Sequence, residues 1–125
     1  MAEAWRVSRL QIEVKYQDNI PIIAASGECD LITSRKLKET IDNLIATGHC
    51  KIIFDFTNMT YIDSSGFRTL LDAKKKTSLK GGDIVLVSPS SPVERVYKLL
   101  HLDELIVRTD EVENAVQKLE TLSCS

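Results

Sequence analysis

The run Asp63-Ser64-Ser65-Gly66 holds the residues best suited to chemistry in this chain. It follows an apolar, strand-like run, Ile52-Ile53-Phe54-Asp55-Phe56, and a short linker, Thr57 to Ile62. It precedes a helix-like run that starts at Phe67. A hydroxyl at such a junction lies beside the free backbone N–H groups of a helix start and the positive end of the helix dipole. That environment favours an anion, and a phosphoserine carries about −1.5 to −2 charges. The plain reading is a helix cap supplied by Asp63 or Ser64, whose loss costs ~1 kcal/mol. The functional reading makes Ser64 a surface switch. The helix start tolerates the phosphate, while the new charge, added to Asp63 and a nearby Asp30, repels a bound partner with little backbone rearrangement.

Catalytic signatures are missing. The chain has no G-x-S-x-G elbow, no P-loop lysine motif and no G-x-G-x-x-G. A phospho-accepting aspartate would need companion acids at the end of the first strand, which instead closes with Val14-Lys15-Tyr16. The expectation is a protein that is not an enzyme and has no cofactor. Cys29, Cys50 and Cys124 are odd in number and widely spaced, and two histidines complete no zinc set. They are expected to be reduced thiols, with Cys124 in a frayed tail. Asp55 is expected to be a satisfied or edge-facing carboxylate, and Lys74-Lys75-Lys76 the solvated face of a helix.

A length of 125 residues fits one domain. Apolar content of 43% and charged content of 27% are those of a soluble globular protein. A net charge of −2 provides no drive toward DNA, RNA or anionic lipid. Every apolar run is interrupted within a few residues, and Met1 to Arg6 contain no signal-peptide hydrophobic region. These features predict a cytoplasmic protein without direct nucleic-acid or membrane partners.

The junction is positioned by the strands and helices around it. Leu10, Ile12, Val14 and Tyr16 alternate with polar residues, a strand with one wet face. Gln17-Asp18-Asn19 is a turn, and Ile20 to Ala25 returns as a second strand, forming an antiparallel hairpin. Leu37, Ile41, Leu44 and Ile45 form a helical stripe, capped by Thr33 or Ser34 and ended by Gly48. Ile52 to Phe56 and Ile84 to Val87 read as strands covered on both faces. The helix after Ser64 turns Phe67, Leu70 and Leu71 inward and stops near Gly81-Gly82. Ser91-Pro92 starts a helix with Val93, Val96, Tyr97 and Leu100 as its stripe. Leu105 to Val107 is a short last strand, and Asp110 caps a final helix carrying Val112, Ala115, Val116 and Leu119. The order β-β-α-β-α-β-α-β-α predicts an α/β fold: a mostly parallel mixed sheet of about five strands with an antiparallel N-terminal edge strand and about four helices. The loops Gly27 to Thr33, Thr57 to Gly66 and Ser88 to Ser91 would share the carboxyl edge of that sheet, making Asp30 and Ser64 neighbours.

Gly27-Glu28-Cys29-Asp30, then Ile62-Asp63-Ser64-Ser65-Gly66 with Leu70-Leu71, then Gly81-Gly82 before an apolar strand, resemble the STAS domain family. Ser88-Pro89 and the helix ending at Leu102-Asp103 fit the same pattern. The resemblance spans roughly Leu10 to Leu119. It implies one STAS domain over residues 1–125, with a core of about 10–119 and terminal extensions at 1–9 and 120–125. As a stand-alone domain the chain resembles the bacterial anti-sigma factor antagonists. The resemblance implies that the unmodified protein binds an anti-sigma factor that is also a serine kinase, releasing the sigma factor. It further implies phosphorylation at Ser64, loss of binding, and resetting by a metal-dependent serine phosphatase. Asp30, Asp63, Ser64, Ser65, Gly66, Phe67 and Arg68 correspond to the partner-binding surface, with no catalytic or metal-binding residues. The chain departs from the family at Phe67-Arg68, where Leu-Gly is common, at Cys29, where a larger apolar residue stands, and at His101, where glycine is usual. Histidine tolerates positive φ better than most residues. The alternative reading is a non-catalytic STAS subunit of a stress-signalling or transport complex.

Overall fold

Each amphipathic stripe buries its apolar side on one sheet. The computed structural model describes residues 9–124, so most of the expected N-terminal extension lies outside the described residues. The elements are β1 (Leu10–Gln17), β2 (Ile20–Cys29), α1 (Ser34–Ala46), β3 (Lys51–Asp55), β4 (Met59–Ile62), α2 (Ser64–Ser78), β5 (Asp83–Val87), α3 (Ser91–Leu99), a 3-10 turn (Leu102–Glu104), β6 (Val107–Thr109) and α4 (Val112–Glu120). The main sheet runs β1-β2-β3-β5-β6, with β1 antiparallel to β2 and the remaining pairs parallel. No helix among the described residues is long and apolar enough to cross a membrane.

The expected five strands are six. Thr57 to Ile62 is not wholly a linker, because Met59–Ile62 forms β4 and pairs with β2. Only Met59 and Ile62 of those four residues are buried, so no alternation marks the strand in the sequence. Two other boundaries move. The last strand starts at Val107, because Ile106 is buried in the main core while Leu105 is 53% exposed. The final helix has Glu111 at its N-cap, while Asp110 receives the Arg108 guanidinium at 2.8 Å.

The larger core lies on one face of the sheet under the first three helices. Phe54 and Phe56 meet there edge to face at 5.8 Å, with Leu37, Ile41, Phe67, Leu70 and Val93 around them. Leu100, assigned above to the inward stripe of α3, is 46% exposed. The smaller core joins Ile20, Ile22, Ile53, Val85 and Val87 to Ala115, Val116 and Leu119 of α4. The lysine run is also less free than expected: Lys74 pairs with Asp83 at 2.7 Å, and Lys76 with Asp42 at 2.9 Å and Asp72 at 3.0 Å. His101 adopts the left-handed conformation, φ 55°, immediately before the 3-10 turn.

The thiol reading is corrected at two positions. Cys50 and Cys124 are disulfide-bonded, with Cα atoms 5.9 Å apart, and Cys29 is the one free cysteine, buried. The tail is therefore anchored: Leu122 packs against the smaller core, and the bond closes two residues later. At the start of β5, Gly82 lies against the same region, where a Cβ would come 1.7 Å from the Cys50 carbonyl oxygen. Backbone cannot yield as a flexible side chain can, so Gly82→Ala is expected to destabilise the fold by about 2–3 kcal/mol, measured by urea unfolding.

Candidate functional site

β2 is ten residues long and outruns β3. Its middle pairs with β3 over Ile22 to Ala24, and its last residues pair with β4, Cys29 opposite Ile62. The register shifts between Gly27 and Glu28, where Gly27 takes φ +100° and a Cβ would sit 2.1 Å from the Arg9 carbonyl oxygen. Asp30 and Asp63 are each the next residue after a paired position on parallel neighbours. The Asp63 N–H donates to the Cys29 carbonyl at 3.2 Å, fastening the two chain ends together. Asp30 and the Ser64 junction are thus brought side by side, and β4 does it. The third predicted loop is held elsewhere: Ser90 Oγ donates to the Met59 carbonyl and the Ser90 N–H to the Phe56 carbonyl, so this loop docks at the start of β4.

Asp63 is the N-cap of α2. Its Oδ1 accepts from the N–H groups of Ser65 at 2.9 Å and Gly66 at 3.4 Å. Ser64 is the first helical residue and is exposed, with its hydroxyl left out of the cap. Gly66 is buried, and a Cβ there would meet Ile62 Cγ1 at 2.6 Å and Cys29 Sγ at 2.9 Å. The small Cys29 side chain and the absent Gly66 side chain together let the helix start settle against β2 and β4. Burial, then the charges of Asp63 and Asp30, push the Cys29 thiol up to about 12, so it stays neutral.

Thr33 is the N-cap of α1, as expected, but no side chain caps the helix; Asp30 instead closes the turn just before it. Its Oδ1 accepts from the N–H groups of Ile32 at 3.0 Å and Thr33 at 2.9 Å, and its Oδ2 receives Arg9 at 2.6 Å. The Thr33 N–H, followed by Arg9, holds this carboxyl below the ordinary aspartate range. The expected local acidity is thereby reduced, because the Asp30 charge has its own cation.

Gly66 and Phe67, both expected on the partner-binding surface, are buried. Phe67 is 1% exposed within the main core, so its side chain holds α2 down and offers no surface. Arg68 is exposed, one helical turn beyond Ser64 on the same side. Arg68, Ser65, Arg35, Lys38 and Leu31 line a shallow groove of about 150 Å³ between the first turns of α1 and α2. Lys38 pairs with Asp42 at 2.6 Å, whereas neither Arg35 nor Arg68 has an ion-pair partner among the described residues. Leu31, which lines the groove, and its chain neighbour Ile32 are 62% and 60% exposed. These two apolar residues and Arg35 escaped the sequence reading. The available signal was Leu31-Ile32 placed directly after a turn-forming Asp30, outside the helical stripe. Asp55 turns its Oδ1 to Thr57, accepting from Oγ1 at 2.6 Å and from the N–H at 3.0 Å. No group of three or more His, Cys, Asp or Glu among the described residues is arranged to hold a metal ion.

The STAS domain family model matches residues 11–119, and the chain belongs to that family. An anti-sigma F factor antagonist from Paenibacillus polymyxa is 30% identical over 115 residues, covering 91% of this chain and 98% of that protein. A solved structure of a putative anti-sigma factor antagonist from Thermotoga maritima superposes with a TM-score of 0.81 at 26% identity, covering 87% of this chain and 94% of its own. The Bacillus cell fate determinant SpoIIAA in its phosphorylated form shares the fold, with a TM-score of 0.67 at 22% identity, covering 86% of this chain and 98% of its own.

Two outcomes check this geometry. Asp63→Ala is expected to cost about 1 kcal/mol by urea unfolding, while Ser64→Ala stays within about 0.5 kcal/mol of the parent, because only Asp63 caps. Asp30 has its carboxyl lowered in the folded state from the ordinary 3.8. Its stabilisation is therefore fully present above that value and is lost as pH falls through the lower folded value. The stability gap between the parent and Asp30→Asn is expected to be constant from pH 7 to about 5 and to shrink below about pH 4.

Proposed function

We propose that this chain is an anti-sigma factor antagonist switched at Ser64. The unphosphorylated form binds a cytoplasmic anti-sigma factor that is also a serine kinase, and the bound sigma factor is released. Phosphorylation of Ser64 abolishes binding, and a metal-dependent serine phosphatase restores it. The protein acts as ligand and substrate, not as catalyst. The relatives named as anti-sigma factor antagonists support the class.

The observation that carries the switch is the division of labour at the start of α2. Asp63 caps, so the Ser64 hydroxyl is exposed and spare. A phosphate there meets the helix N-terminus, which tolerates it, and leaves every capping bond in place. Asp30, Asp63, Ser64, Ser65 and Arg68 form the docking surface, extended by Leu31, Ile32 and Arg35. Its chemistry suits a partner with apolar and acidic groups. Arg68 gives the switch a second component: a phosphate one turn away competes with the partner's carboxylates for that guanidinium.

Incubation with ATP and the anti-sigma kinases of the source organism, followed by intact mass and site mapping, is expected to place one phosphate on Ser64. In calorimetric titrations with the cognate kinase, Ser64→Ala should bind as tightly as the parent, Ser64→Asp at least about tenfold more weakly, and Arg68→Glu also about tenfold more weakly. An unmodified Ser64 with every kinase, together with stable copurification with a scaffold or transporter, would point to the non-catalytic subunit role instead.

A further inference from the structure

We propose that Cys50 and Cys124 form a thiol–disulfide exchange site, a reversible latch on the C-terminal tail that a dithiol opens. The site lies at the opposite pole from Ser64. Cys50 immediately precedes β3, at the amino ends of the parallel strands, whereas Asp30 and Asp63 follow the carboxyl ends of β2 and β4. The bond joins positions 74 residues apart and holds the segment after α4 against the sheet. Around it, Leu122 packs on the smaller core, a Cβ at Gly81 would come 2.5 Å from the Ser123 carbonyl oxygen, and Lys51 Nζ donates to the Glu120 carbonyl at 3.4 Å.

The two sulfurs are unequal, and this asymmetry directs the chemistry. Cys50 is 1% exposed, while Cys124 is exposed. A shallow cavity of about 210 Å³, lined by both cysteines with Asn19, His49 and Lys51, opens beside the bond and admits an attacking thiol. A dithiol's thiolate attacks Cys124 Sγ, forming a mixed disulfide and expelling Cys50 as a thiolate, which takes a proton. The second thiol of the same reagent then attacks its own sulfur in the mixed disulfide and frees Cys124 as a thiol. Two electrons and two protons pass from the dithiol to the protein, and the dithiol leaves as a disulfide; the reverse exchange closes the latch. Lys51 and Asp18 line the same cavity, one charge of each sign. A disulfide with one exposed sulfur is open to exchange at that sulfur. Cys29 is outside this exchange: it is buried in the core on the other face, among Phe67, Ile62 and Leu37.

The test holds the full chain in mixtures of reduced and oxidised dithiothreitol at 25 °C, quenches with an alkylating reagent and maps the cysteines by mass. Cys50 and Cys124 are expected to convert together, reversibly, with Cys29 unlabelled. The reduced protein should melt on the order of 10 °C lower, since the bond closes a long loop. Trypsin should cut after Lys118 about tenfold faster once the tail is released. Cys124→Ser, which alters an exposed position, should match the reduced parent under both conditions. Two free thiols at 50 and 124 in fully oxidised buffer would overturn the proposal. So would a bond that yields only after unfolding, or equal melting and proteolysis of the two forms.

Discussion

The pairing of β4 with the far end of β2 is the constraint on which the candidate site depends. β2 continues past the end of β3, and its last residues would present unpaired backbone groups without a new neighbour. β4 provides it, Cys29 opposite Ile62, and the Asp63 N–H closes on the Cys29 carbonyl. Two aspartates then start two helices from adjacent strands. Each carboxylate accepts N–H groups of the helix or turn it opens, so α1 and α2 leave the sheet side by side. The groove between their first turns, with Arg35 and Arg68, follows from that departure.

Tight packing beneath the junction makes the arrangement rigid. Gly66 permits α2 to approach Ile62 and Cys29, and Phe67 fills the core directly behind it. A rigid platform with a spare hydroxyl suits a switch that works by charge. Under the proposed function, a phosphate on Ser64 would add a dianion to a surface whose backbone has no cause to move.

Much of this was legible in the residues. The periodic stripes of α1, α2 and α4 were strong because each buries a full apolar face, and the continuous runs of β3 and β5 stand out as doubly covered strands. Asp63-Ser64-Ser65-Gly66 read as a helix start from residue type alone. β4 was not legible, since only its two ends are buried and four residues carry no period. Leu100 followed the helical spacing but fell at the helix end, where the chain turns away and leaves it exposed. The partner of Cys50 was equally hidden, because no local spacing encodes a contact across 74 residues.

The sequence by itself determined every element type except β4, the α/β class and a hydroxyl at a helix start, because those rest on local propensity and periodicity. Tertiary structure alone decided that Asp63 caps α2 while Asp30 closes the turn before α1, that Arg9 takes up the charge of Asp30, that Arg68 lies beside Arg35, and that the tail returns to Cys50. These depend on distances between segments remote in the chain. Such distances are set by strand register and core packing, which no short window of residues contains.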